Sequence, residues 1–100
     1  MMDIRILYVE GCPHVQPLVD EVLDLCGGRG DVTVTTRDIA EANELERLVF
    51  HGSPTLVIDG RDPFDATEGP VEASCRLYRG EDGLWRGYPS REEIAEVLVK

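Results

Sequence analysis

From Ile4 to Val9 the chain reads Ile-Arg-Ile-Leu-Tyr-Val, an apolar run broken only by Arg5. Such a run predicts a central strand covered on both faces. Gly11 ends it. Val15, Leu18, Val19, Val22, Leu23 and Cys26 then recur at helical spacing, with Gln16, Asp20, Glu21 and Asp24 on the other face, the pattern of an amphipathic helix. Pro13 suits the first helical position, Pro17 lies early enough to be tolerated, and Gly27-Gly28 supplies the stop. Between Asp31 and Arg37, Val32-Thr33-Val34-Thr35-Thr36 predicts a β-branched strand. Asp38-Ile39-Ala40-Glu41 resembles a capping pattern, and a second helix is predicted from about Ala40 to Phe50 with Leu45, Leu48 and Val49 facing inward. Strand, helix and strand in succession imply parallel pairing with a right-handed crossover.

His51-Gly52-Ser53-Pro54 punctuates the chain before a third strand, Thr55 to Ile58, and Asp59-Gly60 signals a turn. Residues Arg61 to Ala73 carry Pro63, Gly69 and Pro70 and are too long for a tight hairpin loop, so they read as an insertion. Ser74 to Arg79 predicts a fourth strand with Cys75 and Leu77 on one face. Leu84 to Tyr88 is expected to extend the sheet or pack on its edge. Ser90-Arg91-Glu92-Glu93 is a capping box ahead of a last helix that buries Ile94, Val97 and Leu98 and ends at Lys100. No repeat, linker or low-complexity tract divides residues 1–100, which are read as one α/β domain of order β-α-β-α-β-β-α.

Hydrophobic residues make up 42% and charged residues 30% of the chain, the balance of a globular domain rather than a disordered one. The formal net charge of −10 argues against nucleic acid and anionic membrane surfaces as partners. No apolar run approaches the ~20 residues of a membrane span. Met1-Met2-Asp3-Ile4-Arg5 lacks the basic-then-apolar pattern of a secretory leader, so a cytoplasmic location is expected. Three cysteines are an odd count, and reduced thiols are expected.

Cys12 is the leading candidate for chemistry. Placed as the cap of the first helix, its sulfur would accept first-turn N–H groups and feel the positive end of the dipole, both of which favour a thiolate. Glu10 opposes this by like charge, and a cationic His14 within the first turn would reinforce it. A zinc site is not expected, because four ligands are needed and only Cys26, Cys75 and His51 remain as soft donors. A two-coordinate thiophilic ion is less excluded. Cys26 lies fourteen positions after Cys12, about 21 Å along a helix, beyond disulfide reach; it is read as core. Asp62, Asp65 and Glu68 lack the ligand rhythm of a calcium loop and are read as solvated.

The element order, a cysteine opening the first helix, and Ser53-Pro54-Thr55 before the third strand resemble the thioredoxin superfamily across the whole chain. Cys12-Pro13-His14-Val15 stands where that family has Cys-x-x-Cys, and Gly52-Ser53-Pro54-Thr55 looks like its cis-proline loop. The resemblance implies a four-stranded mixed sheet flanked by helices, a cis Ser53–Pro54 bond, and the two segments meeting in space. It also implies a substrate-binding role for Ser53, Pro54 and Thr55, with the backbone of Ser53 offered to an extended peptide or thiol substrate. A narrower resemblance, carried by His51-Gly52-Ser53-Pro54-Thr55, Asp59-Gly60-Arg61-Asp62-Pro63-Phe64, Cys75-Arg76-Leu77-Tyr78 and Gly87-Tyr88-Pro89-Ser90, is to small bacterial thioredoxin-like proteins grouped with alkylmercury lyases.

Val15 replaces the second cysteine of the motif. A mixed disulfide at Cys12 then has no local resolving thiol, and release needs a small free thiol or another cysteine. Antiparallel pairing of the third and fourth strands would leave Cys75 about 10 Å or more from the Pro54 end, but the 61–73 stretch can shift that register, so Cys75 stays open as the resolving cysteine. The resulting expectation is monothiol thiol–disulfide exchange or a glutathione-linked redox role. Cys12 would be the thiolate and His14 its tuning group. A thiol- or disulfide-containing small molecule or protein would be the partner, with glutathione as co-substrate and no bound cofactor or metal. The alternative is a non-catalytic thioredoxin-like binding module for a protein partner or a thiophilic metal such as mercury.

Overall fold

The computed structural model describes residues 2–27, 30–50, 52–64, 78–79 and 82–98. Strand β1, Met2–Tyr8, lies at the centre of a three-stranded mixed sheet of order β2-β1-β3. Strand β2, Val32–Asp38, pairs with it in parallel, Ile4 opposite Val34. Strand β3, Thr55–Ile58, pairs antiparallel, Ile6 opposite Leu56. Hydrogen bonding on both edges satisfies the β1 backbone on either side, so Ile4, Ile6 and Leu7 can be fully buried on its two faces. Ile4, Ile6 and Leu56 form the core with Leu18, Val22 and Cys26 of the first helical segment and with Ile94 and Leu98 of the last. The helices are α1, Val15–Leu25, and α3, Arg91–Leu98. Each fully buried aliphatic side chain in this cluster contributes roughly 1.5–3 kcal/mol by leaving water. The predicted capping box of α3 forms reciprocally, Glu93 N–H to Ser90 Oγ at 3.2 Å and Ser90 N–H to Glu93 Oε1 at 3.0 Å.

Among the described residues the expected four-stranded sheet is not shown: they form a three-stranded sheet and a two-stranded hairpin. Strand β4, Tyr78–Arg79, pairs antiparallel with β5, Trp85–Arg86, in a two-stranded sheet. Residues 74–77 of the expected fourth strand lie outside the described residues. The turn that closes this hairpin is tied locally. Gly83 takes φ +82°, Asp82 accepts the Leu84 N–H, and the Asp82 carboxylate grips the Arg86 guanidinium through two hydrogen bonds of 2.6 and 3.1 Å. That Arg86 fork, helped by the Leu84 N–H, holds the Asp82 carboxyl at about 2.

The predicted second helix is also divided. Asp38 does act as a cap, accepting the Ala40 N–H, but of a 3-10 turn over Ile39–Glu41. The chain breaks at Ala42 and restarts as α2, Glu44–Val49. Asn43 caps it through a reciprocal box with Glu46, the two bonds 2.8 and 2.9 Å long. Leu45 and Leu48, expected inside, are 74% and 76% exposed. The inward position belongs to Glu46, which is buried while its Oε2 accepts from Arg5 and Arg37, each at 3.1 Å. On a six-residue helix, turning Glu46 toward the sheet leaves the adjoining Leu45 and Leu48 exposed, lining an open cavity together with Arg5, Val49 and Val57. Replacing both leucines with glutamine should therefore shift stability by less than about 0.5 kcal/mol. A urea midpoint measurement checks this, and a loss of core size, about 2 kcal/mol or more, would put them back inside.

Among the described residues no helix is long and apolar enough to cross a membrane.

Candidate functional site

The segment that carries Cys12 is shaped by a single turn. Past the end of β1, Cys12 N–H donates to Val9 O at 3.1 Å, and Gly11 between them has φ +86°. A four-residue turn with an i+3 to i bond and a positive φ at its third position is type II, which asks for glycine there. A Cβ at Gly11 would meet nothing within 4 Å, so the requirement is for the backbone angle and not for space. The turn delivers Cys12, half-buried and a free cysteine, just ahead of α1.

Two expectations about this junction are corrected. Cys12 is not the helix cap, and Pro13 and His14 do not open the first turn. The cap residue is His14, with φ −95° and ψ −5°, and its carbonyl accepts from Leu18 N–H. Its side chain makes no capping hydrogen bond. The type II turn uses up the backbone through Cys12, and Pro13 has no N–H to enter the helical ladder, so the helix starts after them. The imidazole of His14 turns instead onto the chain between β5 and α3. A Cβ placed on Gly87 would overlap the His14 ring. The Tyr88 ring lies beside it, centroids 6.2 Å apart and planes tilted by 39°.

The Ser53–Pro54 bond is cis, as the resemblance implied. Ser53 Oγ accepts the Val9 N–H at 3.0 Å. This one bond joins the loop before β3 to the first residue of the Cys12 turn, across 44 positions of sequence. Thr55 Oγ1 donates to Gly52 O at 2.5 Å, and Tyr78 Oη donates to Pro54 O at 2.5 Å. Phe64 stands edge-on to Tyr78, centroids 5.4 Å apart. Ser53, Pro54 and Thr55 are all fully buried, and the Ser53 hydroxyl is occupied by Val9. They are therefore placed beside the Cys12 turn without forming part of its open surface.

Cys26 sits buried at the C-cap of α1, at the opposite end of the helix from Cys12. Cys75 and His51 lie outside the described residues. Among the described residues no three of His, Cys, Asp and Glu cluster in a way that could hold a metal ion. Asp62 accepts the Phe64 N–H and so shapes its own loop; Asp65 and Glu68 lie outside the described residues. Two cavities open elsewhere. One of about 400 Å³ lies between α2 and the sheet, against Arg5, Glu46, Val49 and Val57; one of about 630 Å³ is bounded by Ile58, Asp59, Arg61 and Val97. Neither borders Cys12.

Gly87 and Tyr88 were not assigned to the site on sequence grounds. No local signal marks them: Gly87-Tyr88-Pro89-Ser90 has the composition of an ordinary turn ahead of a helix.

No protein-family model matches the chain, and no curated protein matches it.

Proposed function

We propose that the protein is a thioredoxin-like monothiol protein that exchanges disulfides through Cys12. The observation that carries this reading is the hydrogen bond from Val9 N–H to Ser53 Oγ. It sets a cis-proline loop against the turn that presents a half-buried free thiol. The sheet order, with a parallel and an antiparallel neighbour on either side of β1, is compatible with that fold.

The chemistry balances with thiols alone. The Cys12 thiolate attacks one sulfur of a disulfide RSSR′, a Cys12–SR bond forms, and R′S⁻ leaves. A second thiolate, R″S⁻, then attacks the SR sulfur, releasing RSSR″ and restoring the Cys12 thiolate. Val15 supplies no local thiol for that second step, so a small thiol of the glutathione class performs it. Full burial of Ser53, Pro54 and Thr55 favours a small disulfide over an extended peptide, which would need an open backbone edge to lie along.

The test is glutathione-dependent reduction of the mixed disulfide of glutathione and mercaptoethanol. Wild type should turn over, Cys26→Ser should match it, and Cys12→Ser should fall to the uncatalysed rate. Equal rates for wild type and Cys12→Ser would end the exchange reading.

Because Cys12 is a free thiol with no second cysteine beside it among the described residues, a second reading is a non-catalytic module whose Cys12 holds a thiophilic ion such as mercury or a partner protein. In that case wild type shows no turnover, yet mercuric ion binds more tightly to wild type than to Cys12→Ser. Equal binding by the two would remove Cys12 from any metal role.

A further inference from the structure

We infer that Gly87 is a positioning residue for the thiol site: the absence of a side chain at Gly87 makes the seat on which the His14 imidazole rests. The inference rests on the reading of Cys12 as the working thiol only where it concerns reactivity.

Glycine is required at a position for one of two reasons, and the structure separates them. Gly11, Gly60 and Gly83 have φ between +82° and +86°, and a Cβ there would meet nothing within 4 Å. They are glycines for their backbone angle. Gly87 is the reverse. Its φ lies outside the left-handed region, and a Cβ there would run into three atoms of the His14 ring. Those atoms include Cγ, the atom that joins the ring to its Cβ, so the collision is not with the free tip of a flexible chain. Any side chain at Gly87 makes the imidazole swing off the seat or pushes the chain between β5 and α3 away from α1.

Among the described residues His14, the cap residue of α1, has no side-chain cap bond to anchor it. Its ring lies against Gly87 and beside the Tyr88 ring, centroids 6.2 Å apart. The seat therefore fixes the imidazole two residues from Cys12 and joins the start of α1 to the start of α3. These helices also meet in the core through Leu18, Val22, Ile94 and Leu98, and at the surface through Arg91, whose guanidinium reaches Glu21 and Asp24. Cys12 and His14 share the short segment between the Val9 turn and α1, so unseating the imidazole is expected to alter the alkylation of Cys12.

The experiment is a double-mutant cycle with Gly87→Ala, His14→Ala and the double variant. Melting temperature, the pH profile of Cys12 alkylation by iodoacetamide, and the histidine ring proton signals are measured for each. Gly87→Ala should lower Tm by at least about 4 °C, shift the His14 ring signals away from the Tyr88 ring-current position, and alter the alkylation profile. In the His14→Ala background the same substitution should leave Tm and alkylation unchanged, because the colliding ring is gone. If Gly87→Ala fails to fold, folding of the double variant supports the seat. An effect of Gly87→Ala that is equally large with and without His14, a double variant that also fails to fold, or no effect in either background overturns it. None of these readouts requires disulfide turnover, so the seat can fail while exchange activity stands, and the reverse.

Discussion

Glu46→Ala lowers the stability of the fold by about 2–3 kcal/mol. The carboxylate occupies the inward side of α2 with both oxygens in use. Oε1 accepts from Asn43 N–H, and Oε2 accepts from the guanidiniums of Arg5 and Arg37. Removing it opens the capping box, worth about 1 kcal/mol, and leaves two guanidiniums without their shared acceptor. Losing one member of a fully buried ion group costs about 3–5 kcal/mol. The side chains of Arg5 and Arg37 are 36% and 38% exposed, so water re-solvates them in part and the total falls below that range. Glu46→Gln should lie between wild type and alanine, since its amide oxygen still accepts from Asn43. Urea unfolding of the three proteins checks the order, and an alanine variant within about 0.5 kcal/mol of wild type would show that α2 is held by other contacts.

The same group gives the fold an acid limit. Burial alone would push the Glu46 carboxyl up. The Asn43 N–H and the two guanidiniums outweigh it and hold the group below its ordinary value of 4.5. A carboxyl depressed in the folded state binds its proton more readily when unfolded. Its contribution is therefore complete above the ordinary value and is lost as pH falls through the lower, folded one. The Glu46→Gln protein, with nothing to titrate there, should lose less stability than wild type across that interval.

Ser53→Ala removes about 1–3 kcal/mol and loosens the Cys12 turn. Ser53 is fully buried, and its hydroxyl satisfies Val9 N–H at the point where β1 gives way to the turn. Alanine leaves that N–H without its acceptor. Because Val9 O also receives the Cys12 N–H, a displaced Val9 carries Cys12 with it, so alkylation of Cys12 should change together with the urea midpoint. A stability loss with unaltered Cys12 alkylation would mean that the bond holds the loop before β3 and has no hold on the thiol.

The legible parts of the sequence were those set by one dominant periodicity. Ile4 to Val9 and the Val15-to-Cys26 stripe announced β1 and α1, and Ser90 with Glu93 announced the cap of α3. The α2 region misled because two leucines at helical spacing look like a buried stripe. Glu46 takes the inward position only because Arg5 and Arg37, 41 and 9 positions away, converge on it, and no local pattern carries that information. The same holds at the site. A cysteine before a helix is visible in sequence, and so is a proline loop. That a type II turn keeps Cys12 short of the cap depends on φ at Gly11, and the seat of His14 depends on packing across the whole domain.

Phe64 and Tyr78 bracket residues 65–77 like the two posts of a gate. Their rings touch edge to face, and Tyr78 is further fastened to the Pro54 carbonyl. The two described ends of that connection are thus held together by their own side chains. Doubling the length between such fixed ends adds only about 0.6 kcal/mol of closure entropy. A change in the number of residues between Phe64 and Tyr78 should therefore cost little, and loss of either aromatic ring more.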